Sequence, residues 1–193
     1  MTHFPDIGVE IHGHVGLIEI RRPPLNFFDI SLINQIADAL EGFDRDIEIR
    51  ASVLAAQGKA FCAGANFTKL GFHPGFGLTV TLPELIGKNN AELMFYTSRR
   101  VTGEDAYKMG LANECVPQDQ VRTAAMKLAA EIAECAPLGL LSTRATMRAG
   151  LADRVMAATE HELAEQTRLR ATEDFKEGVK ATEERRFANF KGR

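Results

Sequence analysis

An α/β fold with an undersized sheet is what this sequence predicts, and three observations carry the expectation. Short β-type runs and one amphipathic helix alternate up to Ala56, in the order strand, strand, helix, strand. A glycine-bearing turn, Ala60-Phe-Cys-Ala-Gly-Ala65, follows directly on the last of those runs. After Pro83 the chain reads as almost wholly helical, with no low-complexity linker. The 193 residues are 45% hydrophobic and 25% charged, an ordinary globular composition with enough chain for one sizeable core.

The elements follow in order. Val9 to His12 and Val15 to Ile20 are β-type runs separated by Gly13, which predicts a hairpin. Pro23 and Pro24 stop the second run, because proline cannot donate to a ladder. From Asp29 to Asp46, Leu32, Ile33, Ile36, Leu40 and Phe43 fall on one helical stripe, with Asp29 or Ser31 as N-cap. Ala51 to Ala56 is a short apolar run ending at Gln57-Gly58 and reads as a buried parallel strand. Strand, helix and strand then form a right-handed crossover. The glycine turn leaves the C-terminal end of that strand, where open α/β sheets place their ligands.

In the second part of the chain, Thr102-Gly-Glu-Asp105 opens a short helix that Gly110 closes. Ala112 to Val116 reads as an extended piece ended by Pro117. Val121, Ala124, Ala125, Leu128 and Ile132 form the next apolar stripe. Helices from Leu138 and from Asp153 come next, and a last one near Thr172 pairs Phe175 with Val179. The sequence thus divides into an α/β core over residues 1–82 and a helical region over 83–193. About four strands face five or six helices, too little sheet to cover their apolar faces. The shortfall falls between Ala60 and Leu78, where two glycine turns, Ala60 to Ala65 and Gly71 to Gly77, stand almost side by side.

Several function classes lose support on composition. A net charge of −3 gives no electrostatic case for nucleic acid or an anionic membrane. Arg21-Arg22 and Arg185-Arg186 are pairs rather than runs and read as solvated faces. Cys62, Cys115 and Cys135 are an odd number without C-x-x-C, which argues against a disulfide framework or zinc ribbon. Cys62 reads as a small buried apolar residue rather than a nucleophile. No His, Cys or carboxylate cluster has metal-ligand spacing, so no metal is expected, and without G-K-[ST] a phosphate-binding NTPase has little support. The start, MTHFPDIG, lacks a basic and an apolar region, and no apolar run approaches the roughly 20 residues that span a bilayer. A cytoplasmic enzyme or binding protein is expected. His73 reads as a packing or hydrogen-bonding residue. Met94, Met109 and Met126 read as core, and Asp29, Glu104 and Asp105 as caps.

A series of segments resembles, in order, the enoyl-CoA hydratase/isomerase (crotonase) superfamily. Arg21-Arg-Pro-Pro-Leu-Asn26 resembles that family's R-P-x-x-x-N, and Gly58-Lys-Ala-Phe-Cys-Ala-Gly-Ala-Asn66 its G-x-A-F-x-A-G-A-D. Lys69-Leu-Gly-Phe-His-Pro-Gly-Phe-Gly77 resembles K-L-G-x-x-P-G-x-G-G, and Leu82-Pro-Glu-Leu-Ile-Gly87 resembles L-P-R-L-I-G. Arg99 to Ala106, Gly110 to Pro117 and the tail from Glu173 to Gly178 also fit. The resemblance implies a crotonase-like (ClpP/crotonase) ββα superhelix with a C-terminal helical trimerisation region. In the family, several dozen residues separate A-G-A-D from the P-E-x-K-L-G segment, and they carry core strands and a G-G-G loop. This chain lacks them, so its core is incomplete, and Ala65-Asn66-Phe67 could align with either flank. Two explanations stay open: a natural polypeptide longer than this sequence, or an internal deletion. The first is favoured, because core excision is hard to reconcile with helices that pack on the sheet.

The resemblance also implies a chemistry, the stabilisation of an enolate derived from an acyl-CoA thioester. Two backbone N–H groups bind the charged oxygen. By family position Ala65 supplies one, and the second lies in the absent block. Gly75 matches the glycine whose backbone helps place the hydratases' catalytic water. Those enzymes use two glutamates. One lies in the absent block, and Phe67 stands at the other position if it belongs to the second flank. In that register isomerisation or another enolate reaction gains over hydration; in the other register nothing follows. Pro24, Leu25, Ala63, Gly64 and Asn66 would surround adenine and pantetheine, with Asn66 replacing the usual Asp. Arg185 matches a basic residue that reaches a coenzyme A phosphate, often from a neighbouring subunit, or is a plain surface charge. No cofactor is implied beyond coenzyme A as part of the substrate. A homotrimer or dimer of trimers is implied, in fatty acid metabolism. The alternative is a catalytically inactive crotonase-like binding or interaction protein.

Overall fold

The computed structural model describes residues 4–62 and 70–193. The expected hairpin is present. β1 (Ile7–His12) and β2 (Val15–Ile20) pair antiparallel, with His12 opposite Val15, so Gly13 and His14 form a two-residue turn. Gly13 has φ +60°, the left-handed region that costs glycine no Cβ clash. β3 (Ala51–Ala56) joins β2 in parallel, with Ile20 opposite Ala56, giving the order β1-β2-β3. Among the described residues the sheet has three strands, not about four. Ala112 to Val116, expected to be extended, joins no ladder.

Helix α1 (Ile30–Asp44) connects β2 to β3. Of the two candidate caps it is Asp29 whose Oδ1 accepts the Leu32 N–H at 2.8 Å, satisfying one of the orphan amides of a helix start. The later helices are α2 (Leu78–Ile86), α3 (Lys88–Thr97), α4 (Gly103–Lys108), α5 (Val121–Ala133), α6 (Pro137–Met147), α7 (Leu151–Arg170) and α8 (Glu173–Glu183). Thr102 caps α4, accepting the Asp105 N–H at 3.1 Å and donating to its carboxylate at 2.9 Å. Thr172 caps α8 through the Phe175 N–H.

The described chain forms two compact units, one of Met1–Gly64 with Val116–Met147, the other of Ala65–Cys115 with Arg148–Arg193. In the first, β2 is the central strand and is buried on both faces, which is why its sequence is an almost continuous apolar run. Side chains alternate across a strand. Val15 and Leu17 therefore meet Val53 and the α5 residues Ala129 and Ala133. Ile18 and Ile20 meet Ile7 and the α1 stripe Leu32, Ile36, Ala39 and Phe43. Gly16 lies on the α1 side, and a Cβ there would stand 2.5 Å from the Phe43 ring. The glycine is thus the socket for that ring.

Part of the expected stripe is not core. Ile33 and Leu40 are 39% and 38% exposed, and so is Leu54 of β3, at 39%. The apolar face of α1 is wider than the three-stranded sheet it covers. In the second unit, Leu82, Ile86 and Ala91 form the core at the α2–α3 junction, with Met94, Phe95 and Met109 packed on it. Met126 packs on the first unit's core. The methionines at 94, 109 and 126, expected to be core, are partly buried and pack against these clusters.

Gly16→Val should force the Phe43 ring off its seat and cost about 1–3 kcal/mol, the usual range for overpacking, read as a lower urea midpoint. Adding Phe43→Leu should recover part of that loss, because contacting residues couple non-additively.

Candidate active-site loops

Parallel pairing of β2 and β3 brings Ile20 beside Ala56, so both strands release their loops at the same end of the sheet. Asn26 ties those loops together. It is fully buried and has φ +48°, a left-handed conformation that asparagine tolerates better than most residues. Its Oδ1 accepts the Arg22 N–H at 3.0 Å, while its own N–H donates to the Arg22 carbonyl at 2.9 Å. Its Nδ2 donates to the carbonyls of Gln57 at 2.9 Å and Ala60 at 2.6 Å. Only a side-chain amide offers an acceptor and two donors in this arrangement. The sequence showed Asn26 as part of a motif, and the structure gives it the task of holding the approach to the glycine turn.

The arginines beside it are not simply solvated. Arg22 donates to the Phe27 carbonyl at 3.1 Å and to Asp29 at 2.8 Å. The Arg22 hydrogen bond, aided by the Leu32 N–H, holds the Asp29 carboxyl below the usual carboxylate range. Arg21 lies 2.9 Å from Glu19 and 3.5 Å from Glu10, and Arg122 also bonds Glu19. Burial pushes the Glu19 carboxyl up, but its bonds to Arg21 and Arg122 outweigh that and leave it lowered. Pro24 follows a cis peptide bond and is exposed, as is Leu25. Leu25, Phe27 and Phe61 are 43%, 55% and 50% exposed. The Phe28 and Phe61 rings lie 6.5 Å apart, which gives these loops an apolar rim.

Ala63, Gly64, Ala65 and Asn66, with Phe67, lie outside the described residues. Cys62, expected to be buried, is exposed, because it stands on the loop beyond the end of β3 rather than against the core. Cys115 and Cys135 are exposed too.

In the second unit Gly75 is buried, next to a buried Pro74. His73 makes the local hydrogen bond expected of it, with Nδ1 2.8 Å from the Pro74 carbonyl oxygen. Just before the turn, α8 lies against the main chain. A Cβ on Gly178 would be 2.5 Å from the Leu70 carbonyl oxygen, and the Phe72 and Phe175 rings are 5.4 Å apart. Two residues that the sequence did not single out, Glu162 and Gln166 of α7, bond the main chain on either side of Gly75.

Arg185 stands beyond α8 with φ +53°. It is exposed, and among the described residues it makes no ion pair. Its neighbour Arg186 bonds Glu177 at 2.6 and 3.0 Å and Glu184 at 2.6 Å. Arg186, with the Asn189 N–H, lowers the Glu177 carboxyl to about 2. Among the described residues no group of three His, Cys, Asp or Glu could hold a metal ion, and no helix is long and apolar enough to cross a membrane.

Asn26→Asp keeps the shape but replaces two donors with an acceptor. It should leave the Gln57 and Ala60 carbonyls unpaired at about 1–3 kcal/mol, seen as a lower Tm and faster proteolysis at 57–62. The Glu177 contribution has a definite acid window. Its folded pKa is depressed, so its stabilisation is complete above the ordinary value of 4.5 and is lost as pH falls towards about 2. Glu177→Gln should lower stability at pH 7, where the contribution is complete, and flatten the acid limb below pH 5, so that the two proteins converge in denaturant titrations as pH falls towards about 2.

The profile of one family, described as enoyl-CoA hydratase/isomerase, matches residues 10–68 and 64–193, in two stretches that meet at the glycine turn. The chain is 33% identical over 124 residues to 2,3-dehydroadipyl-CoA hydratase of Escherichia coli (strain K12), covering 64% of this chain and 49% of that protein. It is 32% identical over 121 residues to crotonyl-CoA hydratase of Syntrophomonas wolfei, covering 63% and 46%. The chain thus spans about half the length of these curated relatives. Against mitochondrial enoyl-CoA hydratase of Pongo abelii it is 27% identical over 250 residues, covering 92% of this chain and 83% of that one. That alignment is longer than the 193-residue chain, so dozens of its positions have no counterpart here. Among solved structures, carnitinyl-CoA hydratase from Mycobacterium avium superposes with a TM-score of 0.89 at 26% identity, covering all of both chains. A carnitinyl-CoA dehydratase from Mycobacterium avium 104 gives 0.90 at 23%, covering 98% of this chain and all of the other, a likeness of fold. The fold is therefore crotonase-like, α/β with a small sheet, and the chain belongs to the enoyl-CoA hydratase/isomerase family.

Proposed function

We propose that the chain acts on acyl-CoA thioesters as an enoyl-CoA hydratase/isomerase. The observation that carries this reading is the family match on both flanks of the Ala60 to Ala65 turn. Addition at C3 of an enoyl thioester, or loss of a C2 proton, moves charge onto the thioester oxygen. A backbone N–H held ready there lowers the barrier without needing to reorganise. Ala65 N–H is one such donor, approached through a loop that Asn26 fixes. In hydration the oxygen of water bonds to C3 and a proton goes to C2, and the Gly75 backbone orders that water. Pro24 and Leu25, on an exposed apolar rim, would meet the pantetheine arm with Ala63, Gly64 and Asn66. Arg185, free of ion pairs among the described residues, would meet a coenzyme A phosphate. Coenzyme A enters as part of the substrate, with no separate cofactor.

The working form is a homotrimer or dimer of trimers in the cytoplasm, serving fatty acid metabolism. Exposed Leu138 and Leu141 on α6, a helix that buries no residue of its own, support association. The second oxyanion donor belongs to the block without a counterpart in this chain. Loss of one donor costs on the order of 10²–10³ in rate. The intact mass of the natural protein, against 21.2 kDa for these residues, decides whether that block exists.

The test is turnover of crotonoyl-CoA, followed by loss of its conjugated absorbance. Slow hydration is expected or, with a saturated acyl-CoA in its place, slow solvent exchange of a C2 proton. Ala65→Pro, which removes the amide hydrogen, should abolish both while acyl-CoA binding persists. Binding without any turnover would favour the inactive binding protein, and a chain that neither binds nor converts acyl-CoA would overturn the reading.

A further inference from the structure

The turn carrying Gly75 is held from outside by one face of α7. Glu162 and Gln166 are four residues apart and so stack on that face. Glu162 is 1% exposed. Its Oε2 accepts the Gly77 N–H at 2.8 Å, and its Oε1 accepts the Thr79 N–H at 3.1 Å and the Thr79 hydroxyl at 2.6 Å. These are orphan donors at the start of α2, whose own cap position is Gly77 and offers no side chain. A carboxylate also suits the partial positive charge of that helix end. Four residues on, Gln166 Nε2 donates to the carbonyls of His73 at 3.1 Å and Pro74 at 3.3 Å. A Cβ on Gly75 would stand 2.7 Å from that nitrogen, and one on Gly77 would stand 2.8 Å from Val155 of the same helix.

We propose that Glu162 and Gln166 are positioning residues, a bracket that sets where the main-chain groups of Gly75 stand for the hydration step. The carbonyls before Gly75 are fixed by Gln166 and the amides after it by Glu162. The glycine between them has no side chain with which to hold itself. This rests on the reading above that the Gly75 backbone orders water.

The experiment uses the full chain with two variants. Glu162→Gln keeps the volume but removes one acceptor oxygen, and Gln166→Leu fills similar space without a donor. Since misplacement by about 1 Å can cost roughly 10²-fold, each should lower kcat for crotonoyl-CoA hydration about tenfold or more, with KM within about twofold. Solvent exchange of the C2 proton of a saturated acyl-CoA uses no added water and should keep its rate. A purely structural role would lower both reactions in parallel, and that result, or no change in either, overturns the bracket. A chain with neither reaction overturns the function proposed above instead. The bracket is then judged on amide NMR resonances: Gly75 must shift in Gln166→Leu and Gly77 in Glu162→Gln, with the β1–β2 hairpin unmoved. Unshifted Gly75 and Gly77 resonances would overturn it. Should Glu162→Gln fail to fold, Gln166→Leu decides alone by the same readings.

Discussion

Main-chain polar groups taken out of water must be paired, and loops cannot pair them through a ladder. In each unit of this protein a buried side chain performs that pairing for a loop on which the proposed site depends. Asn26 supplies it in the first unit, giving donors to two carbonyls and an acceptor to one amide. In the second, Glu162 collects amides and Gln166 collects carbonyls. The residue types follow from the groups to be satisfied: an amide side chain where carbonyls need donors, a carboxylate where a helix start needs an acceptor.

The proposed function asks backbone, rather than side chains, to do the chemistry, and these pairings suit that demand. A main-chain N–H can point at a developing oxyanion only if the loop bearing it cannot relax away. Small residues allow close approach but bring no contacts of their own, so their placement has to be borrowed from neighbours. Gly75 draws it from α7, and the approach to Ala65 draws it from Asn26. The core beneath the first loop is equally specific, since Gly16 is the space into which the Phe43 ring fits.

The sheet explains the tension in the chain. β2 is covered on both faces, whereas Leu54 of β3 and Ile33 and Leu40 of α1 keep more than a third of their surface in water. The family match breaks into two stretches after β3, and the 250-residue alignment to the Pongo abelii enzyme includes dozens of positions without a counterpart in this chain. The described strands and helices thus cover only part of the apolar surface that α1 and β3 present.

Much of the architecture was legible in the sequence, because period, caps and turn residues act over a few neighbours. The hairpin at Gly13, the Asp29 and Thr102 caps and the parallel run Ala51 to Ala56 all rest on such short-range signals. A helical stripe can be right in pattern and still differ in burial, as Ile33 and Leu40 show, since burial depends on what lies opposite. The motif carrying Asn26 was visible, but its partners lie 31 and 34 residues away. Glu162 sits 85 residues from Gly77 and looked like any charge on a helix. Local chemistry fixed which segments would be strand, helix or glycine turn. Only the folded chain decided which buried polar side chain would meet which loop, because hydrogen bonds across such separations exist only once the elements have packed.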